Sequence, residues 1–480
     1  MNADSSRGDL IRRTACEVVE LLARGEVAAR ELVEACRLRI EEVDGALNAL
    51  PTLCVDRARE RASEISAHAR SGEDAAGWLG GLPVAVKDLN PVAGVRTTFG
   101  SAIFADHVPD ESDYTVERLE SNGAVIVAKS NTPEFGAGGT TFNDVFGITS
   151  NPWNTGRTCG GSSGGSCVAV ATGQAWAASG SDFGGSLRIP ASFCGVVGLR
   201  PTPGVVPRGP ATQPFSSLWV DGPIARNVAD CALMLDAMSG RDVRDPLSRT
   251  RPVTSYLAKV RQEPVARPRV ACSSDLGVTP VDPVVARAFS EAIDAIAATG
   301  ARIEEDCPDM TGAPAIFHTL RASWLAADMG ALLDGHESEM KPELVWNIRK
   351  GMTLSADEIG RAEVERGRLY RRFVEFFDRY DFLLTPATVV APFDKDERFP
   401  ETIDGRRLET YLDWYAITYC VSLTACPAMS LPIGFTDDGL PVGMQIVGPP
   451  FSEVRLLTWA AQLESMLGIS GRLPIDPIAG

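Results

Sequence analysis

A stretch rich in glycine and serine is the part of this chain whose residue types are best suited to chemistry. It reads Gly-Gly-Ser-Ser-Gly-Gly-Ser over 160–166 and Ser-Asp-Phe-Gly-Gly-Ser-Leu-Arg over 181–188, with small residues between the two runs. Glycines beside a serine let the backbone turn sharply and let a ligand approach main-chain N–H groups. Consecutive N–H groups in such a turn bind an anion, as an oxyanion hole requires. The stretch therefore favours anion binding or serine chemistry.

Three interpretations of this stretch compete. A phosphate-binding P-loop would need a lysine after the second glycine of its motif, but a serine follows residues 160–165 here. The nucleophile elbow of α/β-hydrolases fits Gly160–Gly164, with Ser162 at its centre, but that triad needs a downstream histidine. Both downstream histidines, His318 and His336, stand in helical, polar sequence without a motif, so we expect them at the surface.

The third interpretation is a serine nucleophile that is activated by a lysine. Lys87 directly follows the apolar run 84–86 and precedes Asp88. A lone lysine at the end of a strand is usually solvated. In a largely apolar site, however, the ammonium form is disfavoured and the amine can act as a base near neutral pH. The residue types alone leave both alternatives open.

Several motifs taken together resemble the amidase signature family. Lys87-Asp88 and the two glycine-rich runs carry the resemblance, and Ser162 and Ser186 are 24 positions apart, as the catalytic serines of that family are. The flanking segments that agree are 129–134, 151–153, 194–202 and 439–445. The resemblance spans essentially the whole chain.

The resemblance implies a role for each residue of the motifs. Ser186 would be the nucleophile, and Ser162, which a cis peptide bond precedes in this family, would relay protons. Lys87 would be the base. The main-chain N–H groups that would hold the oxyanion are those of Phe183, Gly184, Gly185 and Ser186. A serine hydroxyl needs such a base because it is a poor nucleophile while protonated.

The resemblance also implies substrate contacts. The loop 136–141, with Gly138, should line the acyl side of the pocket, next to contacts from the glycine-rich stretch, namely Ser162, Phe183, Gly184 and Gly185. Further aromatic walls could come from Phe215, Trp219, Trp324, Trp346 and Tyr419, although each taken alone is more typical of core packing. Phe183 departs from the family, where small or aliphatic residues are usual, and should make the pocket more aromatic or narrower.

The remaining polar residues near the motifs are expected to support the structure. We predict that Ser163 and Ser166 hold the loop by hydrogen bonds and that Asp182 and Arg188 form an ion pair that fixes the nucleophile loop. The nearby cysteines have no activating environment in the sequence, so buried packing is expected for Cys159, Cys167 and Cys194.

The function that the resemblance implies is hydrolysis of a carboxylic amide to an acid and an amine or ammonia, through an acyl-enzyme. The sequence over 129–145 is more similar to stand-alone amidases that act on simple, aryl or xenobiotic amides than to the amidase subunit of tRNA-dependent amidotransferase, which remains the alternative. A non-catalytic binding protein on the same fold would be expected to lack one of Lys87, Ser162 or Ser186, and all are present.

The order of apolar runs and helical patterns predicts an α/β fold. Predicted strands are 82–86, 124–128, 269–272, 301–303, 428–433 and 440–447, and predicted helices include 112–122, 165–178, 227–238, 283–298 and most of 311–380. We expect one large mixed sheet, covered by helices on both faces, in a single domain of residues 1–480. An N-terminal helical segment, 1–75, should pack on it, and 240–268 should be a surface connection within it.

Composition narrows the class of partner. The 480 residues carry 46 basic and 63 acidic side chains, a net charge of −17, which argues against nucleic acids and anionic membranes as partners. The 11 cysteines include no CxxC pair and no zinc-like spacing, which is typical of reduced thiols in a cytoplasmic protein. The first 15 residues lack the apolar core of a secretion signal. We predict no metal and no cofactor, and a small-molecule amide as partner. Many members of the family that the chain resembles are homodimers, but no feature of the sequence fixes the oligomeric state.

Overall fold

The structure is a computed structural model that describes residues 9–65, 76–262 and 267–480. One mixed sheet contains β1 Thr52–Leu53, β2 Pro83–Lys87, β3 Val125–Ser130, β4 Ala177–Asp182, β5 Val197–Arg200, β6 Val220–Ala225, β7 Arg269–Cys272, β8 Arg302–Glu305, β9 Phe382–Pro386, β10 Ala428–Phe435 and β11 Pro441–Val447. Further two-stranded pairings join Phe142–Asn143 to Gly147–Ile148, Ser150–Asn151 to Asn154–Thr158 and Thr402–Ile403 to Arg406–Arg407.

The helices surround this sheet. Those of five or more residues are α1 Ala15–Ala23, α2 Ala29–Val43, α3 Val55–Glu64, α4 Tyr114–Ser121, α5 Gly164–Ala171, α6 Arg188–Cys194, α7 Val228–Met238, α8 Tyr256–Val260, α9 Pro283–Ala298, α10 Ala313–Met329, α11 Pro342–Met352, α12 Ala356–Phe377, α13 Ala416–Ser422 and α14 Glu453–Leu467. None of the helices in the described ranges combines the length and the apolar composition that a bilayer-spanning segment requires.

The strand order in the sheet is β1-β3-β2-β4-β6-β5-β10-β11-β9-β7-β8. β2 runs parallel to β3 and β4, and β7 runs parallel to β8 and β9, whereas β10 and β11 form an antiparallel hairpin. Strands from both sides of the segment 240–268 therefore share one sheet, and the predicted α/β class with a large mixed sheet is confirmed.

The central parallel strands follow from their composition. Every residue of β2 and β3 is buried, as the continuous apolar runs in these strands require when both faces of a sheet are covered. Val84 pairs with Ala177 and Ala85 with Ala178, so β2 and β4 end at the same edge. This register brings Lys87, the last residue of β2, beside the end of β4.

One predicted helix is partly wrong. The helical pattern over 165–178 ends at Ala171, and Ala177 and Ala178 belong to β4. Gly173 has a φ of +75°, which ends helical geometry, and the small residues after it enter a buried strand. The periodicity could not distinguish the two because short runs of small apolar residues suit both structures.

A capping box opens the first helix of the N-terminal part. Thr14 Oγ1 accepts a hydrogen bond from the Glu17 N–H, and the Glu17 carboxylate accepts one from the Thr14 N–H, at the start of α1. α2 then buries the apolar stripe that includes Val33, Cys36 and Ile40. Parts of the predicted segments 1–75 and 240–268, at 1–8, 66–75 and 263–266, lie outside the described residues.

Candidate active site

Lys87 ends β2 with its side chain fully buried, at 0% exposure. Its Nζ donates hydrogen bonds to Ser162 Oγ at 2.6 Å, to Ser163 Oγ at 3.0 Å and to Ser181 Oγ at 3.0 Å. Ser181 stands on the neighbouring strand β4, and the other two serines precede α5. The solvated alternative for Lys87 is therefore wrong, since the amine is surrounded by hydroxyl groups instead of water.

Burial sets the protonation of this amine. Loss of solvent lowers the pKa of Lys87 to about 7, although the nearby carboxylates Asp221 and Asp182 act in the opposite direction. A lysine with such a pKa is partly neutral at neutral pH. It then has a lone pair that can accept a proton from a hydroxyl group.

Ser162 and Ser186 occupy adjacent loops. The peptide bond between Gly161 and Ser162 is cis, and the Ser162 side chain is buried. The Ser163 N–H donates to the Ser186 carbonyl oxygen at 3.2 Å, which holds the two loops together. Ser186 itself is half-buried and lines a cavity. Within the described part of the chain, no hydrogen bond joins the two hydroxyl groups.

Asp182 organises the loop that carries Ser186. Its carboxylate accepts hydrogen bonds from the N–H groups of Gly185 at 2.9 Å and Leu187 at 3.1 Å, and it forms ion pairs with Arg188 at 2.9 Å and Arg200 at 3.1 Å. Burial alone would raise the pKa of Asp182, but the two guanidinium groups outweigh it and hold this pKa at about 2. The ion pair predicted between Asp182 and Arg188 is present.

The same carboxylate changes the set of candidate oxyanion donors. Because the Gly185 N–H points to Asp182 Oδ1, it is already engaged, and the prediction that Gly185 holds an oxyanion needs correction. The N–H groups of Phe183, Gly184 and Ser186 have no acceptor among the described residues. These three remain free to bind an oxygen atom in the cavity.

Ser163 and Ser166 tie the glycine-rich loop to β4 and β3. Ser166 Oγ donates to the Ser179 carbonyl oxygen at 2.8 Å and lies 2.6 Å from Ser130 Oγ. Ser163 Oγ donates to the Ser181 carbonyl oxygen at 3.3 Å. Both serines have the loop-holding contacts that were predicted, and Ser163 is in addition a partner of Lys87, which its position next to Ser162 could have suggested.

The cavity beside Ser186 is small, about 40 Å³, and aromatic. The Phe183 ring makes edge contacts with Trp324 at 5.4 Å, Phe317 at 5.9 Å and Trp219 at 6.3 Å between ring centroids. Of the predicted substrate contacts, the wall contains Gly138, Phe183 and Gly184. Ser162 and Gly185 are not on the wall, because the former is buried behind it and the latter is turned to Asp182.

The aromatic residues proposed as walls divide into two groups. Trp219 and Trp324 line the cavity. Phe215 is 79% exposed and Trp346 is 42% exposed, and both lie outside it. Tyr419 is buried behind the wall, stacked on Phe317 with 4.1 Å between ring centroids. Sequence could not separate these cases because exposure depends on how segments that are distant in sequence pack together.

Several residues that line the cavity were not predicted from the sequence. Phe135 follows β3, between the motif segment 129–134 and the loop 136–141. Phe317 and Arg321 lie on α10 and Tyr415 precedes α13, far from the motifs in sequence. The one available signal was Arg321 itself, a charged residue within the otherwise apolar stripe of α10. Phe135, Trp219 and Trp324 also line an adjoining chamber of about 460 Å³.

His318 does not serve as a base for these serines. It forms no hydrogen bond with them among the described residues, and its Nε2 lies 3.5 Å from Asp413. Burial lowers the pKa of His318 to about 4. The side chain is thus more buried than the predicted surface position, because α10 packs against α13. His336 is exposed, as predicted.

The cysteines near the site are unreactive in character. Cys159, Cys167 and Cys194 are fully buried free thiols, and burial raises the pKa of each. Their predicted packing role is confirmed. In the described ranges, no group of three or more His, Cys, Asp or Glu side chains is arranged to bind a metal ion.

Comparison with known proteins shows which family the chain resembles. The amidase family model matches residues 31–457. The chain is 36% identical to an acylamidase of Rhodococcus erythropolis, over 97% of this chain and 98% of the relative. It is 35% identical to a glutamyl-tRNA(Gln) amidotransferase subunit from Heliobacterium modesticaldum, over 97% of this chain and 99% of that relative.

A solved structure of a bacterial aryl acylamidase superimposes with a TM-score of 0.87 at 27% identity, covering 96% of this chain and 99% of that one. The match of the family model, the near-complete coverage of the relatives and the shared fold lead to one conclusion. The chain belongs to the amidase signature family.

Proposed function

We propose that this amide hydrolase cleaves a carboxylic amide C–N bond with Ser186 as nucleophile, Ser162 as proton relay and Lys87 as base. The observation that carries the proposal is the buried Lys87 amine, which lies 2.6 Å from Ser162 Oγ. The loop that contains Ser162 is in turn hydrogen-bonded to the segment of Ser186, which lines the cavity. All three groups are uncharged when the amine is neutral. A buried site favours such a system over one that needs separated charges.

The reaction begins when the neutral Lys87 amine accepts the Ser162 proton while Ser162 accepts the Ser186 proton. Ser186 Oγ forms a bond to the amide carbon, and the carbonyl π electrons move to the oxygen. The relay then returns the proton to the amide nitrogen, the C–N bond breaks, and the amine leaves. Water, activated by the same relay, cleaves the acyl-enzyme to the acid. Substrate binding must align the two serine hydroxyls, and catalytic hydrogen bonds often tighten at that stage.

The negative charge that develops on the carbonyl oxygen needs donors. Phe183, Gly184 and Ser186, whose N–H groups have no acceptor among the described residues, line the cavity in which that oxygen would lie. Loss of one such donor typically costs about 3–4 kcal/mol of transition-state stabilisation. Asp182 fixes the loop that presents them, since it binds the N–H groups on the other side of the turn.

Aryl and other compact amides fit the aromatic cavity best. Phe183, Trp219, Phe317 and Trp324 offer faces and edges to a flat substituent. The acylamidase relative and the aryl acylamidase structure support this substrate class. The adjoining chamber of about 460 Å³ has room for the part of the substrate that the small cavity cannot hold.

The experiment is a panel of amides, anilides, hydrazides and cyclic amides, assayed with the purified chain alone. We expect hydrolysis of an anilide or simple amide, and its loss in Ser186→Ala. The matched control is Ser121→Ala, which changes an exposed serine at the end of α4. A fluorophosphonate probe should label the wild type and Ser121→Ala but not Ser186→Ala.

The panel also separates the alternatives. Turnover of glutamine that appears only when partner subunits are added would favour the role of an amidotransferase component. Absence of both turnover and fluorophosphonate labelling would favour a non-catalytic protein on this fold.

A further inference from the structure

A buried arginine lines the cavity beside Ser186. Arg321 lies on α10, is 7% exposed, and shares the cavity wall with Phe317 and Trp324. Its Nη1 donates a hydrogen bond to Tyr411 Oη at 3.0 Å. A guanidinium group has five N–H donors, and this is the single hydrogen bond that the described residues give it. Most of its donors therefore lack a protein partner.

Other buried arginines of the described chain are better paired. Arg39 forms ion pairs with Glu42 and Asp476, and both Arg188 and Arg200 pair with Asp182. Arg226 donates to two main-chain carbonyl oxygens. Burying a guanidinium group is costly unless an anion or several acceptors compensate it. Arg321 differs in that the described residues give it one hydrogen bond, to the Tyr411 phenol oxygen, and one aromatic contact, with its Cζ 5.7 Å from the centroid of the Tyr411 ring, but no anion.

The charged groups around Arg321 do not supply the missing anion. Asp413, which lies 3.5 Å from His318 Nε2, already accepts hydrogen bonds from the N–H groups of Glu409 at 3.0 Å and Thr410 at 2.7 Å. No carboxylate lies within ion-pair distance of Arg321 in the described ranges. The unpaired face of the guanidinium group is thus available to a molecule that enters the cavity.

We propose that Arg321 binds a carboxylate of the substrate, so that the preferred substrates are short amides that carry a carboxylate a few bonds from the scissile C–N bond. This inference rests on the function proposed above. The planar guanidinium fork matches a carboxylate with two parallel hydrogen bonds. A cavity of about 40 Å³ leaves room for a short connection between the carboxylate and the carbonyl carbon that Ser186 attacks.

The test compares amides that differ in the carboxylate alone. In the first pair the group lies on the acyl side of the amide: succinamate has a carboxylate, and 4-methylpentanamide has an isopropyl group of the same shape in its place. In the second pair the group lies on the amine side: N-acetylglycine has the carboxylate, and N-isobutylacetamide has the isopropyl group. We expect the wild-type kcat/KM to be higher for the anionic amide in one of the two pairs, which identifies the side of the amide that faces Arg321.

In Arg321→Met this preference should fall about 10- to 100-fold, and Arg321→Lys should retain part of it. The control Arg349→Met, on the neighbouring α11 and outside the cavity, should keep the wild-type ratio.

A second readout does not need turnover. Succinate should protect Ser186 from fluorophosphonate labelling in the wild type, and at least about 10-fold more should be needed in Arg321→Met. If Arg321→Met does not fold, wild-type substrate ratios and succinate protection decide the question. The inference is wrong if neither anionic amide is preferred, or if Arg321→Met lowers both members of a pair equally. If the wild type is labelled and hydrolyses an anilide but does not prefer the anionic amides, this inference alone is refuted. If the wild type is neither labelled nor active on anilides, the proposed function is refuted.

Discussion

The Lys87 amine lies 2.6 Å from Ser162 Oγ, and neither side chain is open to solvent. Lys87 is the last residue of β2, and Ser162 lies in the loop before α5. The contact therefore joins two residues that are 75 positions apart in sequence. The parallel register of β2 with β4 adds Ser181 as a further partner. Among the residues that the structure describes, no counter-ion lies at hydrogen-bond distance from this lysine, which is the condition for a depressed pKa.

The first prediction concerns pH. The pKa of Lys87 is lowered to about 7, and the neutral amine is the base. We therefore expect kcat/KM to decrease as the pH falls below about 7 and to increase as the pH rises through this value. Lys87→Met should lower kcat/KM by about 10²- to 10⁴-fold and remove this limb. Lys350→Met, on α11, is the control and should keep the wild-type profile. An unchanged acidic limb in Lys87→Met would remove Lys87 from the mechanism.

The second prediction separates two adjacent serines that both contact Lys87. Ser162→Ala should reduce kcat by about 10²- to 10⁴-fold, since it interrupts proton transfer, whereas Ser163→Ala should have a clearly smaller effect because Ser163 mainly holds the loop. Single-turnover kinetics on an anilide measure the chemical step in each variant. Equal losses in both variants would contradict the assignment of the relay to Ser162.

The third prediction concerns stability. Asp182→Asn leaves Arg188 and Arg200 without their anion and should reduce the free energy of unfolding by about 3–5 kcal/mol, as measured by urea denaturation. Asp437→Asn removes an ion pair with Arg287 from a carboxylate that is 89% exposed and should cost at most about 1 kcal/mol. A loss in Asp182→Asn no greater than in Asp437→Asn would show that the buried cluster does not stabilise the fold.

The pH dependence of this stability has a definite sign. The folded pKa of Asp182, about 2, lies below its ordinary value of 3.8, so its stabilisation is complete above the ordinary value. It is lost as the pH falls through about 2. Asp182→Asn should lack this part of the acid dependence, and an identical acid profile in wild type and variant would contradict the low pKa.

The fourth prediction concerns the aromatic cavity. Phe183→Thr should lower kcat/KM for an anilide about 2- to 10-fold relative to acetamide, because edge contacts between aromatic rings are each worth about 0.5–1.5 kcal/mol. The N–H of residue 183 is retained, so acetamide hydrolysis reports on the oxyanion site. Phe215→Thr changes a phenylalanine that is 79% exposed and should leave the ratio at its wild-type value. A higher anilide ratio in Phe183→Thr would instead mean that the ring narrows the pocket.

Much of the fold could be predicted from local patterns. The apolar runs of β2 and β3, the capping box at Thr14 and the turn at Asp438-Gly439, which joins β10 to β11, each depend on neighbours in sequence. The helix predicted over 165–178 failed because a run of small residues suits a helix and a buried strand equally. Periodicity contains no information that separates these two outcomes.

The sequence by itself determined the family motifs, the spacing of Ser162 and Ser186, and the mixed sheet. The tertiary structure alone decided that Lys87 is buried, that Asp182 occupies the Gly185 N–H, and that Arg321 reaches the cavity from α10. The physical reason is that protonation and exposure are set by the surroundings of a group in space. Those surroundings come from strands and helices that are distant in sequence and meet when the sheet and its helices pack.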